Sequence, residues 1–278
     1  MSHSEMTWQS FDGLPVYAQA WLPDTGTKAV VALVHGLGEH SGRYGHVAAA
    51  LNRAGYAVVT RDLRGHGQSG GQKGHAPSFE ALLKDIDQLV AQARELVPGK
   101  PLFLYGHSLG GIFVLDYALS RHPPIAGVVS TSPGLRTALH EQKAKLAVAK
   151  VMGKVAPTGD LASGLDPQSI SRDPAVIQAY VNDPLVHDRV TFGAANVFQE
   201  AIAYVYEHGS EFPVPLLLMH GTNDVLAFPQ GSKDVAALVK RDCTLQLWEG
   251  LSHETHNEPE KEQVLGFVVG WLDEHLPH

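Results

Sequence analysis

Apolar residues along this chain recur with two periods. Ala29-Val-Val-Ala-Leu-Val34 is apolar at every position, without the alternation of a half-exposed strand, and so predicts a strand buried on both faces of a parallel sheet. Residues 57–60, 101–105, 125–129, 216–219 and 244–248 repeat that pattern. Phe79 to Leu96 changes to helical spacing, with Leu82, Leu83, Ile86, Leu89 and Val90 on one face and Ser78 as N-cap. Val264, Leu265, Val268, Trp271 and Leu272 predict a final helix in the same way. Strands alternating with helices imply crossover connections, hence an α/β fold with a mostly parallel sheet and helices on both faces. Residues 8–22 read as two extended pieces joined at Asp12-Gly13, a hairpin adding antiparallel strands at one edge.

One region breaks this rhythm. Between residues 129 and 215 lie about eighty residues without a clear buried strand, far more than an ordinary connection needs. Residues 139–155 predict an amphipathic helix with Val148, Val151, Met152 and Val155 together and Lys143, Lys150 and Lys154 opposite. Asp166-Pro167, Asp173-Pro174 and Asp183-Pro184 mark turns or helix starts. The expected organisation is a core of residues 1–132 and 208–278, with residues 133–207 inserted as a mostly helical cap, or lid, over one end of the sheet.

Gly106-His107-Ser108-Leu109-Gly110-Gly111 sits between a predicted strand and a predicted helix, the context in which G-x-S-x-G presents a nucleophile. The turn forces a strained backbone at Ser108 and leaves room only for glycine at positions 106 and 110. A hydroxyl so placed lies at a helix N-terminus, whose dipole favours developing negative charge. A serine needs a base and an orienting acid, which follow in the chain order of these folds. Asp224 comes after the strand at 216–219 and His253 after the strand at 244–248, both at carboxyl ends of strands, where such sheets bind ligands. Asp224 would orient the imidazole, and His253 would take the Ser108 proton and return it to the leaving alcohol. The competing readings are a structural serine in a Gly-rich turn, a simple turn carboxylate, and His256 as the base one helical turn on. A zinc site at His253-Glu254-Thr255-His256 fails because H-E-x-x-H needs one more residue.

His35-Gly36-Leu37-Gly38 follows the first buried strand. A tetrahedral intermediate needs donors preorganised for its oxyanion, and the backbone N–H groups of Leu37 and Leu109 stand in the right contexts. The loop Asp62 to Ser69 lacks the lysine of a phosphate cradle, so Asp62 and Arg64 are expected to tie neighbouring loops together.

Composition narrows the setting. With 278 residues, 44% hydrophobic and 18% charged, the chain suits one large domain or a core with an insertion. A net charge of -8 argues against nucleic-acid partners. The single cysteine, Cys243, excludes an internal disulfide and a zinc–thiolate cluster, and its apolar strand predicts a buried small hydrophobe. The first ten residues show no basic region followed by an apolar run, and the apolar stretches are strand-sized. A soluble, cytoplasmic protein is expected.

Taken together, His35-Gly36-Leu37-Gly38-Glu39-His40-Ser41-Gly42-Arg43-Tyr44, Asp62-Leu63-Arg64-Gly65-His66-Gly67, Gly106-His107-Ser108-Leu109-Gly110-Gly111, Asn182-Asp183-Pro184-Leu185 and the stretch His253 to Glu258 resemble the monoacylglycerol lipases and their lysophospholipase relatives. The resemblance implies an α/β-hydrolase core with a helical cap. It also implies a serine hydrolase that cleaves monoacylglycerol through an acyl-enzyme, without metal or cofactor, with a lysophospholipase or general carboxylesterase as the alternative. By the same resemblance Ser108, Asp224 and His253 match the triad, Leu37 and Leu109 the oxyanion hole, and Glu39, Arg43, His107, Tyr180 and His256 the surroundings of the glycerol end. The expected partner is a small lipid ester. The helix at 139–155 either touches membranes or micelles peripherally or simply packs on the core.

Overall fold

The computed structural model describes residues 1–138 and 143–277. Eight strands form one sheet: β1 (Ser2–Gln9), β2 (Pro15–Leu22), β3 (Ala29–Val34), β4 (Tyr56–Arg61), β5 (Leu102–His107), β6 (Gly127–Thr131), β9 (Leu216–Gly221) and β10 (Cys243–Trp248). Their order across the sheet is β1-β2-β4-β3-β5-β6-β9-β10. The first two run antiparallel as the expected hairpin, with Gln9 opposite Pro15, and every pair from β4 to β10 is parallel. The mostly parallel α/β sheet anticipated from the alternating pattern, and implied by the resemblance to α/β-hydrolases, is therefore present.

The continuous apolar runs follow from two covered faces. Along β3, Val31 and Leu33 join the core under helices α1 (Gly45–Arg53) and α8 (Lys261–Glu274). Val30, Ala32 and Val34 join the opposite core, under α2 (Phe79–Leu96), α3 (Leu109–Arg121) and α7 (Pro229–Leu238). Ser78 caps α2 as expected, its hydroxyl accepting from the Ala81 N–H at 3.1 Å.

Two strand expectations need correction. Residues 244–248 are not buried on both faces, because β10 is the sheet edge and is half-buried along its length; Cys243 is accordingly half-buried too. The strand expected at 125–129 begins two residues later, because Ile125 is held in a turn by the Pro123 carbonyl.

Between β6 and β9 the chain forms α4 (Lys143–Val155), β7 (Asp160–Ala162), α5 (Pro174–Asn182), β8 (Arg189–Thr191) and α6 (Phe192–His208). The pairing of β7 with β8 had no sequence signal, since three-residue strands carry too little pattern. Asp166 and Asp173 accept from backbone N–H groups at helix starts, whereas Asp183 closes the end of α5. Of the helix expected at 139–155, residues 139–142 lie outside the described residues. In α4 the valine side faces outward, with Val148, Val151 and Val155 at 62%, 60% and 70% exposure. The other side lies against α6, where Asn196 donates to the Lys150 carbonyl at 3.1 Å. Among the described residues no helix is long and apolar enough to cross a membrane.

Candidate active site

Ser108 sits where β5 turns into α3, with φ 53° and ψ −112°. This conformation is costly for a residue with a side chain and persists because its surroundings fix it. The Ser108 N–H donates to the Thr131 carbonyl at 2.9 Å, and the Ser108 carbonyl accepts from Ile112 and Gly134. A Cβ at position 106 would run into the Gly110 carbonyl, and one at 110 into the Val34 and His35 carbonyls, so both glycines are sterically required. The turn projects the Ser108 hydroxyl above the carboxyl ends of the strands, at the N-terminus of α3.

The acid and the base come from the last two strands. Parallel pairing sets Gly221 of β9 beside Trp248 of β10, so the loops beyond them start side by side. The Thr222 and Asn223 N–H groups donate to the Trp248 and Leu251 carbonyls, and the Gly250 N–H donates to the Thr222 hydroxyl. This lacing brings the His253 Nδ1 within 2.7 Å of Asp224 Oδ2 and its Nε2 within 2.9 Å of Ser108 Oγ. Asp224 Oδ1 accepts from the Leu226 and Ala227 N–H groups.

Electrostatics follow from these contacts. Burial disfavours charge on Asp224, but the His253 and His220 rings and the hydrogen bonds they make outweigh it and hold the carboxyl well below the usual carboxylate range. Burial likewise disfavours the His253 cation, yet the Asp224 carboxylate outweighs it and raises the His253 pKa above its ordinary value. A neutral imidazole beside an ionised carboxylate can accept a hydroxyl proton and keep it while charge develops.

Leu37 and Leu109 line the same cavity as Ser108 and His253. The Leu37 loop is held by Glu39, whose Oε1 accepts the Gly36 N–H at 2.7 Å. The cavity has a volume of about 940 Å³ and runs between the core and the cap, past Ile112, Val190, Phe198 and Ile202 to Lys150 and Lys154 of α4. Such a space suits a long apolar chain attached to a polar reacting group.

The five residues assigned by resemblance to surround or position the glycerol end lie beside the cavity rather than on its lining. None of Glu39, Arg43, His107, Tyr180 and His256 is among the residues lining this cavity. They form a buried cluster behind His253. Arg43 donates to Glu39 at 2.6 Å and lies over the Tyr180 ring at 4.7 Å. His107 contacts the His253 and His256 rings at 4.8 and 4.7 Å between centroids. Burial, and then the neighbouring His253, push the His107 pKa down to about 3. His256 is held well below its ordinary value by burial and by His107, and among the described residues neither of its nitrogens has a hydrogen-bond partner. The physical reason is burial: the rings pack as neutral discs, with His107 Nδ1 3.0 Å from the Thr131 hydroxyl, while Glu39 and Glu254 are both engaged by one guanidinium.

The Asp62 loop is structural, as expected. Asp62 accepts from Ser41 and Gln68, while Arg64 reaches Asp85 of α2 and Asp12 of the hairpin. Two functional neighbours had escaped sequence reasoning. Glu254 grips Arg43, and His220 donates to Asp224 at 3.0 Å. For His220 a signal existed, a polar residue next to last in the otherwise apolar β9.

Residues 25–260 match the family described as serine aminopeptidase, S33. The chain is 38% identical to an uncharacterised abhydrolase domain-containing protein of Dictyostelium discoideum over 93% of its own length, and spans 28% of that longer protein. It is 35% identical to a monoacylglycerol lipase of Mycolicibacterium smegmatis, over 99% of both chains. In structure it is similar to the monoacylglycerol lipase of Paleococcus ferrophilus, with a TM-score of 0.83, 36% identity and coverage of 99% of this chain and 100% of the other. The chain belongs to this family of α/β-hydrolases, and its relatives include monoacylglycerol lipases.

Proposed function

We propose that the protein is a serine hydrolase that cleaves monoacylglycerol to a free fatty acid and glycerol. The observation that carries this reading is the chain of contacts from Ser108 through His253 to Asp224, at 2.9 and 2.7 Å, opening into a cavity of about 940 Å³. Ser108 Oγ attacks the ester carbonyl as His253 Nε2 takes its proton, forming the C–O bond of a tetrahedral intermediate. The Leu37 and Leu109 N–H groups face the oxyanion. Collapse breaks the bond to the glycerol oxygen, which receives the proton from His253 and departs. Water, deprotonated by the same imidazole, then adds to the acyl carbonyl, and collapse breaks the bond to Ser108 Oγ, which takes the proton back from His253 as the fatty acid leaves. Asp224 stays ionised and fixes the ring's tautomer. The apolar cavity holds the acyl chain, each buried CH₂ contributing about 0.8 kcal/mol.

The same reading takes residues 1–132 and 208–278 as core and 133–207 as cap, with the exposed valines of α4 resting on lipid aggregates. Lysophospholipid is a second substrate class supported by one observation. Lys150 and Lys154 line the cavity, and among the described residues neither has an ion-pair partner, so a phosphate there would find two cations.

A fluorophosphonate probe should label the protein covalently, and Ser108→Ala should abolish both labelling and turnover. Labelling that survives in Ser108→Ala would overturn the reading. A panel of monoacylglycerols, diacylglycerols, lysophospholipids and nitrophenyl esters separates the substrate classes, with monoacylglycerol expected to give the highest kcat/KM.

A further inference from the structure

His220 is next to last in β9, four residues before Asp224, and is fully buried. Its Nε2 lies 3.0 Å from Asp224 Oδ2 and 2.8 Å from the Ala227 carbonyl, and its Nδ1 lies 2.7 Å from the Ser232 hydroxyl of α7. Two acceptors at Nε2 require the hydrogen there, and the Ser232 hydroxyl holds Nδ1. Asp224 Oδ2 therefore carries two imidazole N–H donors, one from His253 and one from His220. Ala227 completes a closed ring of bonds, giving its N–H to Asp224 Oδ1 and taking the His220 hydrogen on its carbonyl.

We propose that His220 is a positioning residue that fixes Asp224 Oδ2 toward His253 and, by sharing that oxygen's charge, limits how strongly the carboxylate holds a proton on His253. The inference rests on the assignment of Ser108, His253 and Asp224 as the triad. A carboxylate on a short loop could rotate or draw in other donors. Four donors on its two oxygens leave one orientation, and the bond to Ser232 anchors that orientation to a helix. His220 is not among the residues lining the cavity, so it acts only through Asp224.

The sign of the effect follows from the charges around the base. His253 is faced by Asp224 and by Glu254 and Glu39 as carboxylates, and by the His107 and His256 rings; Asp224 is faced by the His220 and His253 rings. With His220 gone and the rest in place, Oδ2 has one donor fewer and pulls harder on the His253 proton. The base then stays protonated to higher pH, and the acid limb of kcat/KM moves upward.

Two variants of similar size isolate the donor. His220→Gln keeps a side-chain N–H, and His220→Leu removes it. With nitrophenyl butyrate as substrate, His220→Leu should lower kcat about tenfold with KM within about twofold of wild type, and should raise the acid-limb pKa by about half a unit. His220→Gln should stay within about threefold of wild type with its acid limb unmoved. Equal impairment of the two variants, or an acid limb unmoved in the leucine variant, overturns the proposal. Should the leucine variant not fold, nitrogen-15 spectra of wild-type protein decide: a hydrogen on His220 Nε2 supports the proposal, and a ring protonated at Nδ1 alone overturns it. Fluorophosphonate labelling of Ser108 in the same preparations separates a failure here from a failure of the triad itself.

Discussion

The Arg43 guanidinium holds both carboxylate oxygens of Glu254, at 2.6 and 2.7 Å, one residue along from His253. The same guanidinium donates to Glu39, whose other oxygen fixes the Gly36 loop and accepts from the Tyr44 hydroxyl. One cation thus bolts the loop bearing Leu37 to the loop bearing the base. Arg43→Met should leave two buried carboxylates without their counter-charge and cost about 3–5 kcal/mol, read by urea denaturation. Arg43→Lys should recover only part, because a point ammonium cannot reproduce the two-pronged bond.

Buried neutral rings make the protein sensitive to acid. His256 sits well below its ordinary value of 6.5, so the folded state binds fewer protons than the unfolded chain as pH falls. The stability tied to this ring is fully present above pH 6.5 and declines below it, by up to about 1.4 kcal/mol per pH unit. His256→Phe keeps the stacking on Tyr44, where the centroids lie 5.1 Å apart, and should flatten the fall in Tm between pH 6.5 and 5. An unchanged slope would place the acid sensitivity elsewhere. Its KM for monoacylglycerol should stay within about twofold of wild type, as befits a ring outside the cavity.

Asp116 on α3 behaves in the opposite sense. Burial raises its pKa to about 8, and among the described residues its Oδ2 has no hydrogen-bond partner. The folded protein retains a proton that the unfolded chain releases near pH 4, so stability falls as pH rises from about 4 to about 8. Asp116→Asn removes the ionisation and should stabilise the protein by about 2 kcal/mol at pH 7.5, or about 5 °C in Tm. The gain should vanish below pH 4. Calorimetry at pH 4 and 7.5 checks both statements.

The valine side of α4 points away from the core while Lys150 and Lys154 reach the cavity. Lys150→Glu with Lys154→Glu should weaken binding to anionic vesicles roughly tenfold. Val151→Asn should weaken binding to neutral vesicles as well. Unchanged sedimentation with vesicles in both variants would make α4 a packing helix only.

How much of this was legible in the sequence depended on how local the signal is. Five parallel strands showed as unbroken apolar runs because both faces are covered, and Ser108 showed because its turn admits so few residues. The edge position of β10 could not be read, since neighbour order in a sheet is decided by the whole chain; its run Thr244-Leu-Gln-Leu-Trp248 resembles a buried strand well enough. Asp224 and His253 stood out by following strands. The service of Glu39 and Arg43 to Glu254 did not, because a bond spanning 211 positions leaves no mark on either local pattern. His220 was readable only as an oddity, and only the folded loop gives that oddity a partner.

The nucleophile rises from the middle of the sheet, whereas its two helpers hang beyond the last two strands on one side, the base beyond the half-exposed edge strand β10. Margins of a sheet fray before centres. Moderate heat should therefore silence turnover while the greasy hollow beneath the lid still retains its guest. For this architecture, being occupied and being active are separable conditions.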